Sequence, residues 1–236
     1  NSMNNNSGFR KLLKSQLGVH EEAVVPTYYS PTMRQRLKQE KVASNDEVKV
    51  ALFTTCYGNY NKPQLGEDLV TVLKHNNIAV EIVPSECCCG MPKMELGDLE
   101  TVKKHKEYNI PILAELANKG YYLTALVPSC VLMFKQELPG MFPDDSDVAK
   151  VKAAFVDPFE LLAMRHKEGK LNTEFKQPLG DISYQVACHL RVQNIGLKAR
   201  DVLQLVPDTK VIAQERCSGH DGTYAVKEES HHHAVK

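Results

Sequence analysis

Apolar positions along the chain follow two rhythms that succeed one another. Val48 to Thr55 and Ile78 to Val83 are short apolar, β-branched runs, the signature of strands buried on both faces. Between them Leu65, Leu69, Val72 and Leu73 recur at helical period over residues 64–75, and Asn76-Asn77 closes that helix. Asp98 predicts a helix to about residue 109, and Pro111 the first turn of another ending at Gly120. Tyr122 to Val127 predicts a third strand, and residues 131–137 a helix. Turns at Pro139-Gly140 and Pro143-Asp144-Asp145 precede a helix opened by Asp147 and another opened by Asp157-Pro158. The first pattern then returns: Ile182 to Ala187 corresponds to the first strand, Gly196 to Leu205 to its helix, and Val211 to Ala213 to the second strand. Alternation of this kind predicts an α/β fold of two tandem Rossmann-like βαβ repeats with parallel sheets.

The expected organisation is an N-terminal arm over 1–47, a first repeat over 48–140, a helical connector over 141–180 and an incomplete second repeat over 181–236. Within the arm, residues 1–7 read as a disordered lead-in, 8–17 as a helix stopped by Gly18, and 31–41 as a helix with a solvated face.

The chemistry lies where the strands end. Cys56 follows the first, Cys87-Cys88-Cys89-Gly90-Met91-Pro92 the second and Pro128-Ser129-Cys130 the third. In an open α/β sheet the carboxyl ends of the strands are where ligands bind. Three consecutive thiols cannot all face one core, and adjacent cysteines bridge each other poorly. They are well suited to holding different metal atoms of one cluster. Thirty-one residues separate Cys56 from Cys88, and 40 separate Cys89 from Cys130. Thiolates Cys56, Cys88, Cys89 and Cys130 suffice for a [4Fe–4S] cluster. The chemical alternative, structural zinc, more often uses close Cys-x₂₋₄-Cys pairs, which this chain lacks. In the second repeat, Cys188-His189 and Cys217-Ser218-Gly219-His220 fall in register with the first. Cys188, His189, Cys217 and His220 are therefore candidates for a second metal or substrate site, one zinc ion at most. The alternative is that this half is purely structural.

Composition narrows the class. Lys+Arg and Asp+Glu both number 29 and Trp is absent, which argues against nucleic-acid binding. The longest apolar run, Tyr121 to Phe134, is too short to span a bilayer. Seven cysteines, three contiguous, fit metal ligation in a reducing compartment, and the expected location is cytoplasmic. His75, His105 and His166 read as solvated, Met133 as core filler, and His231-His232-His233 as part of a native helix.

These motifs together resemble the cysteine-rich (CCG) domain family. Its members include the glycolate oxidase iron–sulfur subunit and subunits of heterodisulfide reductase and of anaerobic glycerol-3-phosphate dehydrogenase. The resemblance covers roughly residues 48–228. It implies an iron–sulfur electron-transfer subunit of an oxidoreductase. Such a subunit relays electrons between a flavin or ferredoxin partner and a quinone or disulfide acceptor, and reaches membranes only peripherally through partners. It also implies that Cys87 is not required. Cys130 is followed by Val131-Leu132-Met133, so the second cysteine of a Cys-x-x-Cys is missing, and a four-cysteine cluster is expected over a five-cysteine non-cubane one. Ser218 stands where the second repeat would pair its cysteine, and the chain looks like a piece of a longer protein. The rival readings are a zinc-bound scaffold module and a thiol-based reductase acting through Cys87–Cys89.

Overall fold

The computed structural model describes residues 1–38, 48–216 and 222–235. The chain divides into two compact units, Pro31–Glu215 and a smaller one joining Asn1–Ser30 to Arg216–Lys236. In chain order the helices are α1 (Ser7–Leu17), α2 (Met33–Arg36), α3 (Cys56–Tyr60), α4 (Pro63–His75), α5 (Met91–Glu95) and α6 (Leu99–Asn118). They continue as α7 (Pro128–Leu132), α8 (Leu138–Met141), α9 (Ser146–Ala154), α10 (Pro158–Lys167), α11 (Cys188–Arg191), α12 (Lys198–Leu203) and α13 (His231–Ala234). The strands are β1 (Lys49–Phe53), β2 (Ala79–Ile82), β3 (Tyr121–Ala125), β4 (Gly180–Gln185) and β5 (Thr209–Gln214).

The larger unit is α/β with parallel sheets, as the pattern predicts. A three-stranded sheet in the order β2-β1-β3 has Lys49 paired with both Ala79 and Tyr121, so all three strands run the same way in register. Strands β4 and β5 form a second parallel sheet. Strand β1 is buried on both faces. Val50 and Leu52 point into a core shared with α4 and α10, while Ala51 and Phe53 point into one shared with α6, α7 and α9. In the second core Phe134 lies between Phe53, edge-on at 5.1 Å, and Phe155, stacked at 4.8 Å. Met33 is fully buried in the first core and crosses Gly66 so closely that a Cβ there would lie 1.7 Å from its Sδ.

Several expectations need correcting. The two helices predicted to meet at Pro111 are one, α6, with the proline inside it. A mid-helix proline costs about 3 kcal/mol. Burying Ile110 and Leu113, which flank it and pack into one core, offsets that at about 1.5–3 kcal/mol each. Pro139-Gly140 lies within α8 instead of forming a turn, and a π turn at Met133–Glu137 joins α7 to it. Asp145, not Asp147, caps α9, accepting from the Asp147 and Val148 N–H groups at 3.0 and 3.1 Å. The helix expected over 31–41 is the single capped turn α2, and residues 39–47 lie outside the described residues.

In the smaller unit the predicted helix is α1, ended by Gly18 in the left-handed region at φ 63°. The lead-in expected to be disordered is ordered: Met3–Asn5 forms a 3-10 turn, and the Asn1 side chain bonds the Tyr28 backbone. Past Gly18, Val19 pairs antiparallel with Lys227.

Asp145 also forms an ion pair with Lys106 of α6, and that hydrogen bond, followed by the capped Val148 N–H, holds its carboxyl below the usual 3.8. A depressed folded pKa contributes stability above the unfolded value, and that stability is lost as pH falls through the folded one. Asp145→Asn keeps the cap but removes the charge. It should cost about 0.5–1 kcal/mol at neutral pH, the pair being partly solvent-screened. In urea titrations the gap from wild type should close below about pH 4; a gap independent of pH would refute the assignment.

Candidate metal centre

Because β1, β2 and β3 are parallel and in register, the segments that follow them leave from the same edge of the sheet. Cys56 begins α3 directly after β1, the cysteine triplet follows β2, and Cys130 lies in the first turn of α7 after β3. Thr55, just before Cys56, has φ 63° and ψ 153°, a conformation β-branched residues avoid. Its hydroxyl accepts from the Gly58 N–H at 2.9 Å and so helps hold the bend that turns Cys56 out of the strand. At the end of the triplet, Gly90 has φ 102°, and an added Cβ would sit 3.3 Å from Met133 Cε. Any side chain there would be strained as well as crowded.

Four thiols come together in series, and a fifth turns away. Cys56 interacts with Cys88, Cys88 with Cys89, and Cys89 with Cys130, while Cys56 also feels Cys130. Hydrogen bonding to Cys88, followed by burial, pushes the Cys56 thiol up. The Cys88 thiol is pushed well down, by hydrogen bonds from Cys56 and then Cys89. Cys89, 4% exposed, is raised by its bonds to Cys130 and Cys88 and by burial. Access is graded: Cys56 is exposed, Cys88 half-buried, and Cys89 and Cys130 buried. Cys87 instead points its S–H toward the Cys88 and His105 carbonyls, at 3.6 and 3.7 Å, and burial raises its thiol.

Residues that carry no cysteine signal fix these loops. Asn109, 1% exposed, accepts from the Cys87 N–H at 3.0 Å and donates to the Cys88 carbonyl at 3.1 Å. His105 stands four residues earlier, on the same face of α6. Contrary to the solvated position its sequence context predicts, it is half-buried, and its Nδ1 is buried without a partner. Glu86 bolts β1 to β2. Its carboxylate accepts from the Thr54 N–H at 2.9 Å and from the Thr54 hydroxyl, and Arg34 Nη2 pairs with it at 3.3 Å. Arg34 also donates to the Val83 carbonyl at 2.7 Å. Burial is the main cause of Glu86's raised carboxyl pKa. Arg34, Tyr60, Glu86 and the Cys56–Cys88 pair line an open cavity of about 390 Å³.

The second-repeat candidates are placed differently. His189 faces the first repeat, its Nδ1 2.7 Å from the Ser129 hydroxyl and its Nε2 3.6 Å from Glu95. Cys188, its neighbour in sequence, is exposed. Cys217 and His220 lie outside the described residues.

Compared with known proteins, residues 50–135 match the cysteine-rich domain family, CCG. The chain is similar to a subunit of the anaerobic glycerol-3-phosphate dehydrogenase of Escherichia coli K12, 28% identical over 230 residues that cover 94% of this chain and 56% of that protein. It is also similar to a subunit of the fumarate reductase (CoM/CoB) of Methanothermobacter marburgensis, 24% identical, covering 78% of this chain and 35% of the relative. An uncharacterized iron–sulfur protein of Methanococcus maripaludis is 26% identical, covering 80% and 35% respectively. The chain thus spans little more than half of the first relative and about a third of the other two. No solved structure matches it. The family expected from the motifs is therefore the one found.

Asn109→Ala would leave the part-buried Cys87 N–H without its acceptor and the Cys88 carbonyl without its donor. It should lower stability by about 2–3 kcal/mol in thermal or urea unfolding. Lys104→Ala, on the exposed face of the same helix, should stay within about 0.5 kcal/mol. Equal effects would mean that Asn109 does not hold the triplet.

Proposed function

We propose that the cysteine-rich domain holds one [4Fe–4S] cluster through Cys56, Cys88, Cys89 and Cys130, and that the protein is an iron–sulfur electron-transfer subunit of an oxidoreductase. The observation that carries this reading is the series of four thiols at one sheet edge, with Cys87 turned out of it. Their spread supports a cluster over a single ion. Among the described residues, the one trio of metal-type donors within 4.8 Å of one another lies elsewhere, at His20, Glu22 and His231. Four thiols, no three of which lie that close together, suit ligands of several irons, whereas one zinc ion needs its ligands drawn together tetrahedrally.

A cluster of this kind supplies one-electron storage. The chain's own residues would hold and tune it. The buried Cys89 and Cys130 keep water from one side, while Cys56 keeps another side open. Asn109 fixes the backbone of the triplet. Glu86, Arg34 and Thr54 tie the Cys56 loop to the Cys88 loop, so that the spacing between those ligands is set before anything binds. Burial and hydrogen bonds of this sort set the potential of such centres.

The relatives' names support a place in a multi-subunit oxidoreductase. A flavin- or ferredoxin-containing donor and a quinone or disulfide acceptor are the partners we propose, with membrane contact made through them. Among the described residues no helix is long and apolar enough to cross a membrane. We propose a cytoplasmic location from the reduced, cysteine-rich sequence.

Protein purified without oxygen should be brown, bleach with dithionite, and contain about four irons and four sulfides per chain. Cys56→Ser, Cys88→Ser, Cys89→Ser and Cys130→Ser should each lose or convert the cluster, and Cys87→Ser should keep most of its iron. Stoichiometric zinc without sulfide, or iron lost in Cys87→Ser but kept in Cys88→Ser, would sink the assignment. About eight irons would mean that the second repeat is loaded as well.

A further inference from the structure

We propose a second metal site, distinct from the cysteine centre and independent of the reading given to it, in which His20, Glu22 and His231 bind one zinc-class divalent cation in the smaller unit. The donor atoms of the three side chains lie within 4.8 Å of one another. Two imidazoles and a carboxylate are a donor set that zinc accepts, with water filling a fourth position.

The backbone brings these distant residues together. After Gly18 turns the chain, the His20 N–H donates to the Val226 carbonyl at 2.9 Å, and the Glu228 N–H donates to the Gly18 carbonyl at 2.8 Å. Lys227 Nζ adds a bond to the Leu17 carbonyl at 2.8 Å. Registered in this way, the His20 segment lies against the segment leading into α13. The His20 and His231 rings stack with centroids 3.9 Å apart and planes 14° from parallel.

The hydrogen bonds also orient the lone pairs. His231 is 7% exposed, and its Nδ1 lies 2.7 Å from the Ala225 carbonyl. A carbonyl only accepts, so Nδ1 carries the proton and Nε2 carries the lone pair. A backbone carbonyl on the far nitrogen is the usual support of a metal-bound histidine. His20 Nδ1 accepts from the Glu22 N–H at 3.1 Å, so its lone pair lies on the side where Glu22 begins. A cation there would displace that one hydrogen bond. Glu22 is exposed and makes no ion pair among the described residues, so its carboxylate can swing to the site. Glu228, 3.9 Å from His20 Nε2, is already paired with Lys14 at 3.1 Å. Lys14 also reaches Glu21, at 3.5 Å. Of the three nearby acids, Glu22 is thus the one with no cation beside it.

Metal–ligand bonds of about 2.0–2.1 Å put neighbouring tetrahedral donors about 3.3 Å apart. Binding therefore requires a modest contraction and a splaying of the two stacked rings, both within reach of side-chain torsions. The consequence is structural. A cation here would clip the segment after α1 to α13, closing a very long loop of chain.

The test uses the full chain with its cysteine centre loaded, titrated with Zn²⁺ without oxygen. Calorimetry should find one Zn²⁺ per chain. X-ray absorption at the zinc edge, which iron does not obscure, should show only nitrogen and oxygen neighbours, with imidazole scattering. Glu22→Gln, at an exposed position where misfolding is not at issue, should weaken binding by more than about tenfold. His20→Ala and His231→Ala should abolish it, all three with iron content unchanged, and His232→Ala should leave binding intact. Absence of binding, a sulfur shell around zinc, or binding unchanged in Glu22→Gln and His20→Ala would each overturn the proposal.

Discussion

Parallel pairing of β1 with both β2 and β3 is the constraint on which the cysteine site depends. Lys49 is opposite Ala79 on one side and Tyr121 on the other, so the strands end level with one another. Side chains alternate faces along a strand, and a slip of one residue would turn each to the opposite face. Here that would move Val50 and Leu52 from one core to the other and carry Cys56 away from Cys88. Burial of β1 on both faces therefore fixes fold and site together.

The site itself is less favourable than the sheet beneath it. A positive-φ Thr55, a buried carboxylate and the unpartnered buried Nδ1 of His105 all lie within or beside the cysteine loops. Each costs on the order of 1–3 kcal/mol. The Phe53, Phe134 and Phe155 stack and the two apolar cores supply the stability that holds these loops in place. Polar bolts within the site add direction: Glu86 joins strand ends, and Asn109 reads the backbone of the triplet.

Much of this was legible in the sequence, because strands and strand-end cysteines are local signals. Val48 to Thr55 and Ile78 to Val83 contain their strands, and the triplet announces itself. Residues whose role depends on distant partners were not legible. Arg34, Glu86, His105 and Asn109 look like ordinary solvated positions until α2 and α6 are laid against the β2 loop. Pro111 misled because a local rule about proline was overridden by burial on either side of it. The stacking of His20 on His231 had no sequence signal at all, since a backbone ladder between remote segments creates it. His189 invited a reading with its neighbour Cys188, but its ring turns to Ser129, across 60 residues of sequence.

The π turn at Met133–Glu137 bears on how much length variation the site tolerates. Its wider ring takes one residue more than an α turn. Loss of a single residue there would restore ordinary helical winding, with Cys130 upstream and Leu138 downstream both still facing the core. The same loss from α6 would rotate Asn109 or Leu113 by about 100°, out of register with everything each touches. Of the two helical connections beside the cysteines, one can absorb a change in length and the other cannot.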